Sequence, residues 1–226
     1  LGALFASLCI SVQGQTPLLH LSFESTDGTT VTNDGSGGSA MDGTLNGTAS
    51  VVVGGVGHCL QVTGAGSSDA SCRIPNAVVP LNVIDGSTWT VAMWVKTTTQ
   101  GGTYAYQGDG GWASGNTTFA MVVNNGTSGV NGPAAGGVRY ASGWQQGTTP
   151  ITNGVWHHIV ITCNGTTKVQ YIDGVVDAWV ANQWNNSSGT GSQFWIGGGG
   201  TGQGDGQVCL NGFIDEVNVY DQALSQ

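Results

Sequence analysis

Hydrophobic residues in this chain recur with a period of two, and no stretch of helix length carries a period of 3.6. Trp89-Thr-Val-Ala-Met-Trp-Val-Lys96 shows the pattern best. Alternation sends Trp89, Val91, Met93 and Val95 to one face and Trp94 to the other. Trp94 then needs cover of its own, which asks for two packed layers. Leu19, Leu21 and Phe23 alternate in the same way, and similar runs recur at 51–53, 58–62, 71–74, 118–123, 157–163, 168–172, 193–196 and 212–220. Between them lie turn signals such as Asn164-Gly165 and Asp173-Gly174. No linker, charge block or change of composition divides the run of about ten strands. The reading is one all-β domain over residues 16–226, a large β-sandwich.

Charge narrows the function. Thirteen acidic residues against four Lys and Arg give a net charge of −9. Four cations cannot neutralise a run of phosphates, which excludes nucleic acid and argues against an anionic membrane surface. Glu24 and Glu216 are the only glutamates, too few helix formers for a bundle. Eight tryptophans and 39% hydrophobic residues exclude disorder.

The chain opens on an uncharged apolar run, Leu1 to Val12, too short to span a bilayer. It fits the apolar region of a secretory signal, with small or polar residues from Val12 to Gly14 as a cleavage site. The competing reading is that residues 1–15 are retained as a first strand, which could be donated to a sheet edge of a neighbouring subunit. Beyond Cys9 stand Cys59, Cys72, Cys163 and Cys209, an even number in an exported chain. Cys59 and Cys72 flank a polar turn, so a cross-strand disulfide is expected there, and Cys163–Cys209 follows by elimination. Free buried thiols are the alternative. Scattered sulfurs with no Cys-x-x-Cys pair exclude a zinc site.

Residues 100–152 are the least regular part of the chain, rich in Gly, Ser, Thr and Asn around the run at 118–123, yet they hold Tyr104, Tyr106, Trp112, Tyr140 and Trp144. Such aromatics either anchor loops or line a ligand surface. Neutral sugars are gripped by aromatic faces and short polar groups. Trp112, Tyr140, Trp144 and Trp184, with Asp109 and Asn185 as hydrogen-bonding partners, are therefore the candidate ligand-binding residues. Capping of the core is the other use for them.

Four motifs in order carry a family resemblance. They are Phe23-Glu24 with Asp34-Gly-Ser-Gly and Asp42-Gly-Thr-Leu45; Trp89 to Lys96; Trp156-His-His-Ile-Val-Ile-Thr-Cys-Asn-Gly165 with Val169 to Gly174; and Leu210 to Ser225. Together they resemble the concanavalin A-like, laminin-G-like superfamily, in particular its bacterial laminin-G-type domains and more distantly the pentraxins. The resemblance implies a two-sheet antiparallel jelly-roll β-sandwich. It implies Trp89 and Trp156 as core aromatics at strand starts, and Tyr220 and Leu224 tucking the end of the chain onto the sandwich. It also implies calcium in the opening loop, held by Asp34 with Asp27 and Asp42, although Asp beside Gly equally serves turns. Hydrolases on this fold carry Glu-x-Asp-x-x-Glu, and that motif is absent. The related lyases need a cluster of Arg, Gln, His and Tyr, and Arg73 and Arg139 are the only arginines here. His157 and His158 fall at a structural strand start. The function expected is a secreted or cell-surface, non-catalytic adhesion module that binds a glycan or matrix protein. A self-assembling subunit of an extracellular filament is the alternative, and a polysaccharide lyase or hydrolase the weaker one.

Overall fold

A computed structural model of the 226-residue chain describes residues 15–63, 70–75, 88–99, 102–108, 117–123, 135–140, 143–165, 167–181, 193–198 and 209–225. Seventeen strands lie among them: β1 (Leu19–Leu21), β2 (Thr26–Asp27), β3 (Thr30–Val31), β4 (Gly43–Asn46), β5 (Ser50–Val53), β6 (His58–Thr63), β7 (Ser71–Ile74), β8 (Thr88–Thr97), β9 (Thr103–Gly108), β10 (Thr117–Val123), β11 (Ala135–Tyr140), β12 (Gly143–Pro150), β13 (Trp156–Asn164), β14 (Thr167–Ile172), β15 (Val175–Ala181), β16 (Gln193–Ile196) and β17 (Asn211–Tyr220). The one helical element described is a single 3₁₀ turn, Gly38–Met41.

The strands form two antiparallel sheets. One has eight strands, ordered β15-β14-β13-β8-β17-β6-β5, with β1 added beside β17. The other has nine, ordered β12-β11-β10-β9-β16-β7-β4-β3-β2. This is the jelly-roll sandwich expected from the motifs.

Alternation decides the core. Trp89, Val91, Met93 and Val95 face inward with Leu19, Leu21, Phe23, Ile159, Ile161, Val217 and Val219. The opposing sheet supplies Cys72, Ile74, Ala105, Met121, Phe194 and Ile196. Trp94 finds its cover on the outer face, where its ring lies 4.9 Å from that of His158. Trp156 departs from expectation. His157 and Ile159 take the inward positions of β13, so Trp156 stands outside and meets Phe213 at 6.4 Å.

The expected turns hold. Asp173 (φ 53°) and Gly174 (φ 79°) make the two-residue link from β14 to β15, where both residues need a left-handed backbone. Asn164 caps the β13–β14 turn by accepting from the Thr167 amide. The end of the chain is pinned as expected near Leu224, whose amide donates to Thr90 Oγ1.

Two expectations change. The stretch 100–152, read as the least regular part with one strand run at 118–123, supplies β10 there as expected and also the strands β9, β11 and β12. Cys59, Cys72, Cys163 and Cys209 are all buried, and none is in a disulfide. Cys72 belongs to the core, whereas Cys59 alternates with the core residues Leu60 and Val62, so the eight-stranded sheet lies between the two sulfurs. Cys163 pairs with Trp89 at one end of β8, and Cys209 precedes the stretch that pairs with Thr97 at the other. Eight residues of strand span about 26 Å, against the roughly 7 Å a disulfide can bridge between Cα atoms. Burial pushes the Cys59 thiol up to about 11 and that of Cys72 up to about 12. These behave as the buried thiols named above as the alternative.

Candidate functional site

The outer face of the nine-stranded sheet carries a continuous cross-strand row. Cys72 and Ile74 point into the core, which turns Ser71 and Arg73 outward; Phe194 and Ile196 do the same for Trp195. Arg73 is paired with Thr44 on one side and with Trp195 on the other. The register then runs from Trp195 to Tyr106, Ala120, Arg139 and Trp144. At about 4.8 Å per strand the row from Thr44 to Trp144 is about 29 Å long.

Three polar groups on this face lack partners. Ser71 Oγ, Arg73 Nε and Trp195 Nε1 are buried and make no hydrogen bond. The Arg73 guanidinium sits 5.5 Å from the centroid of the Trp195 ring, in cation–π range. Trp195 itself is 9% exposed. A buried donor without an acceptor costs free energy in the unliganded protein and gains it back from a ligand that accepts.

Of the ligand-binding residues expected from sequence, Trp144 lies on this row and Tyr140 lies one residue beyond it on β11, opposite Gly143. Trp112, Trp184, Asp109 and Asn185 lie outside the described residues. Sequence reading missed Arg73 and Trp195. Their signal was present: each is the outward member of a short alternating run, Cys72-Arg-Ile74 and Phe194-Trp-Ile196.

The aspartates expected to hold calcium do not converge. Asp42 Oδ1 accepts from the Asn33 amide, and Asp34 Oδ2 from the Ser22 hydroxyl. Asp27 sits exposed in β2. Asn33 does the central work of this loop, accepting from the His20 and Gly35 amides and donating to Leu18 and Gly38 carbonyls. Among the described residues no three His, Cys, Asp or Glu side chains are grouped to hold a metal.

The eight-stranded sheet and the turns beside it gather most of the described titratable groups. His20 pairs with Glu216 at 2.8 Å and His58 with Glu24 at 3.0 Å. Buried His157 is held between Asp173 at 2.8 Å and Asn153 at 3.0 Å, with no nucleophile in the set. That is the anchoring role expected of a strand start. Beside Lys96 and Phe213 lies an open cavity of about 150 Å³.

Asp215 and Glu216 occupy an irregularity in β17, where the strand passes from pairing with β6 to pairing with β1. Burial, aided by Glu216 and Glu24, pushes the Asp215 carboxyl up to about 7. The native state thus holds a proton that the unfolded chain releases near 3.8, so stability falls as pH rises between those values. The bond to Glu216 raises His20, whose contribution is complete below 6.5 and disappears as pH passes its raised folded value. Both effects have one sign; His158, lowered by burial, opposes them only below 6.5, where Asp215 acts against it. The melting temperature should fall from about pH 5 to about pH 8, and Asp215→Asn should flatten the lower part of that fall. A wild-type melting temperature constant over that range would contradict it.

These sheets and their order define a jelly-roll β-sandwich with an aromatic and arginine-bearing outer face. The chain belongs to the concanavalin A-like lectin/glucanases superfamily, whose family model matches residues 65–226. No curated protein sequence matches it. Among solved structures it is similar to domain 4 of AbnA, an extracellular arabinanase of Geobacillus stearothermophilus crystallised with arabinotriose. The two share 20% identity at a TM-score of 0.65, covering 94% of this chain and 96% of that one. It is also similar to Trypanosoma rangeli sialidase in complex with sialic acid, at 16% identity and a TM-score of 0.62. There it covers 92% of this chain but 31% of the sialidase. The binding domain of Paraclostridial Mosquitocidal Protein 1 matches at 14% identity and a TM-score of 0.58, over 93% of this chain and 50% of that one.

Proposed function

We propose that the chain is a non-catalytic carbohydrate-binding module, acting outside the cell or at its surface, and that the nine-stranded sheet binds the glycan. The observation that carries this is the row through Arg73 and Trp195, where an arginine stands beside an aromatic ring and each has a buried polar atom without a partner, with Ser71 Oγ two residues away on the same face as a third. Sugars present the matching chemistry: hydroxyl acceptors and donors around apolar ring faces. The arabinotriose bound to the AbnA domain supports the same reading. The row from Thr44 to Trp144 includes no carboxylate and no imidazole for acid–base work, which favours binding over turnover.

Affinity electrophoresis through gels containing soluble polysaccharides tests this. Trp195→Ala should weaken retention by about tenfold or more while the fold persists. Unchanged retention would move the site elsewhere. Failure of the folded protein to bind any polysaccharide or arrayed glycan would end the carbohydrate reading. Release of reducing ends or of unsaturated uronates would end the non-catalytic one.

Self-assembly into a filament is the second reading, and one observation favours it. Strand β5 is the last of its sheet, with Val53 80% exposed at its end and Val56 76% exposed in the turn that follows. The apolar segment proposed as a donor strand, residues 1–14, lies outside the described residues.

A further inference from the structure

We infer that the glycan recognised by the nine-stranded sheet is an acidic one, whose sugar carboxylate is met by Arg73, with Arg139 at a register position on the same row. This rests on the carbohydrate reading above and specifies its ligand.

Arg73 is the key. Thirteen acidic residues stand against four Lys and Arg in the chain, so an arginine has ample choice of partners. Among the described residues the three ion pairs are all made by histidines, and Arg73 makes none. Its Nε is buried and unbonded. A guanidinium drawn partly out of water without a counter-charge is unfavourable, unless an anion completes it. Trp195 is placed to hold the guanidinium by its ring face, which leaves the planar fork of donors for another group.

The second arginine falls on the same row. Register places Arg139 four strands from Arg73, with Trp195, Tyr106 and Ala120 at the positions between and Trp144 beyond. The separation is about 19 Å, the reach of several sugar units. Of the other two cations, Lys96 is on the far sheet and Lys168 is 3% exposed. Both arginines of a strongly acidic chain are thus gathered on one row, interleaved with aromatics. A neutral sugar offers such a fork only single hydroxyl acceptors; a planar carboxylate accepts bidentately and also supplies the missing counter-charge. With a net charge of −9 the protein repels acidic polymers at long range, so attraction is confined to this row and weakens with added salt.

The test uses the full chain and matched probes: polygalacturonate against its methyl ester, alginate against its carboxyl-reduced form, and sialyllactose against lactose. At least one acidic probe should bind about tenfold more tightly than its neutral counterpart. Arg73→Gln should erase that preference, and Arg73→Lys should restore it in part at most, because the fork is lost. If Arg73→Gln fails to fold, Arg139→Gln reads the same preference at the other end of the row. Equal binding within every pair overturns the acidic ligand and leaves the carbohydrate module standing. Binding to no probe and no arrayed glycan overturns both. An acidic preference that survives both arginine substitutions overturns this assignment of the site.

Discussion

Replacing Trp89 with alanine is expected to destabilise the protein by about 3–5 kcal/mol. Trp89 is 1% exposed and begins the inward row of β8. That strand pairs along its length with β13 on one side and β17 on the other. The cavity left by the indole opens between packed sheets that cannot collapse around it, so the loss exceeds simple transfer to water. A domain of this size has about 5–15 kcal/mol in total, and the melting temperature should drop by roughly 10 °C. Trp94→Ala is the control. It removes the same side chain five residues further along, on the outer face beside His158, and should cost about 1 kcal/mol. Equal losses from both variants would mean that the inward assignment of β8 is wrong.

Asp177→Ala should cost about 2–4 kcal/mol although the side chain is only half-buried. Asp177 lies on β15, the last strand of one sheet, and reaches β12, the last strand of the other. Its Oδ1 accepts from the Thr148 amide at 3.0 Å, the Thr149 amide at 2.8 Å and the Thr149 hydroxyl at 2.7 Å. Its Oδ2 accepts from Gln170 Nε2 at 2.9 Å. Gly147 makes room for this latch, because a Cβ there would overlap the carboxylate. Besides a lower melting temperature, hydrogen exchange should quicken at the Thr148 and Thr149 amides. Exchange unchanged at those two amides would show that Asp177 does not hold the sheet ends together.

Period-two alternation was enough to read much of the fold. Trp89 to Val95 and Leu19 to Phe23 could be assigned to a buried face because a strand repeats its side chains every two residues. Asp173-Gly174 could be read as a hairpin tip because few residue pairs accept two left-handed conformations in succession. Between 103 and 150 the same logic found β10 but missed β9, β11 and β12. Tyr104-Ala-Tyr106 alternates, but the Gly, Thr and Asn around it look like loop when no second sheet is in view. Trp156 was misplaced for a related reason: a large aromatic at a strand start suits either face, and only the inward set of His157, Ile159 and Ile161 excludes it from the core.

The candidate site was less legible than the core. Trp144 and Tyr140 were picked out by being aromatic in polar surroundings, whereas Arg73 and Trp195 each looked like the odd residue in a short apolar run. The row that joins them draws on β7, β16, β9, β10, β11 and β12. Neighbours in the row are separated by up to about a hundred and twenty residues of chain, and no local pattern encodes such a pairing. Cysteine count misled in the same way, since an even number says nothing of which sheet face each sulfur takes.

The amino-acid sequence alone therefore determined the local facts: strand periodicity, turn chemistry, the shortage of cations and the family motifs. Each depends on residues a few positions apart or on simple totals. Cross-strand register, the face on which each outward side chain stands and the isolation of Arg73 from the chain's many acids came from the folded sheets. Those are long-range properties, set by how two sheets share one core, and they are what brings two arginines far apart in sequence onto one cross-strand row.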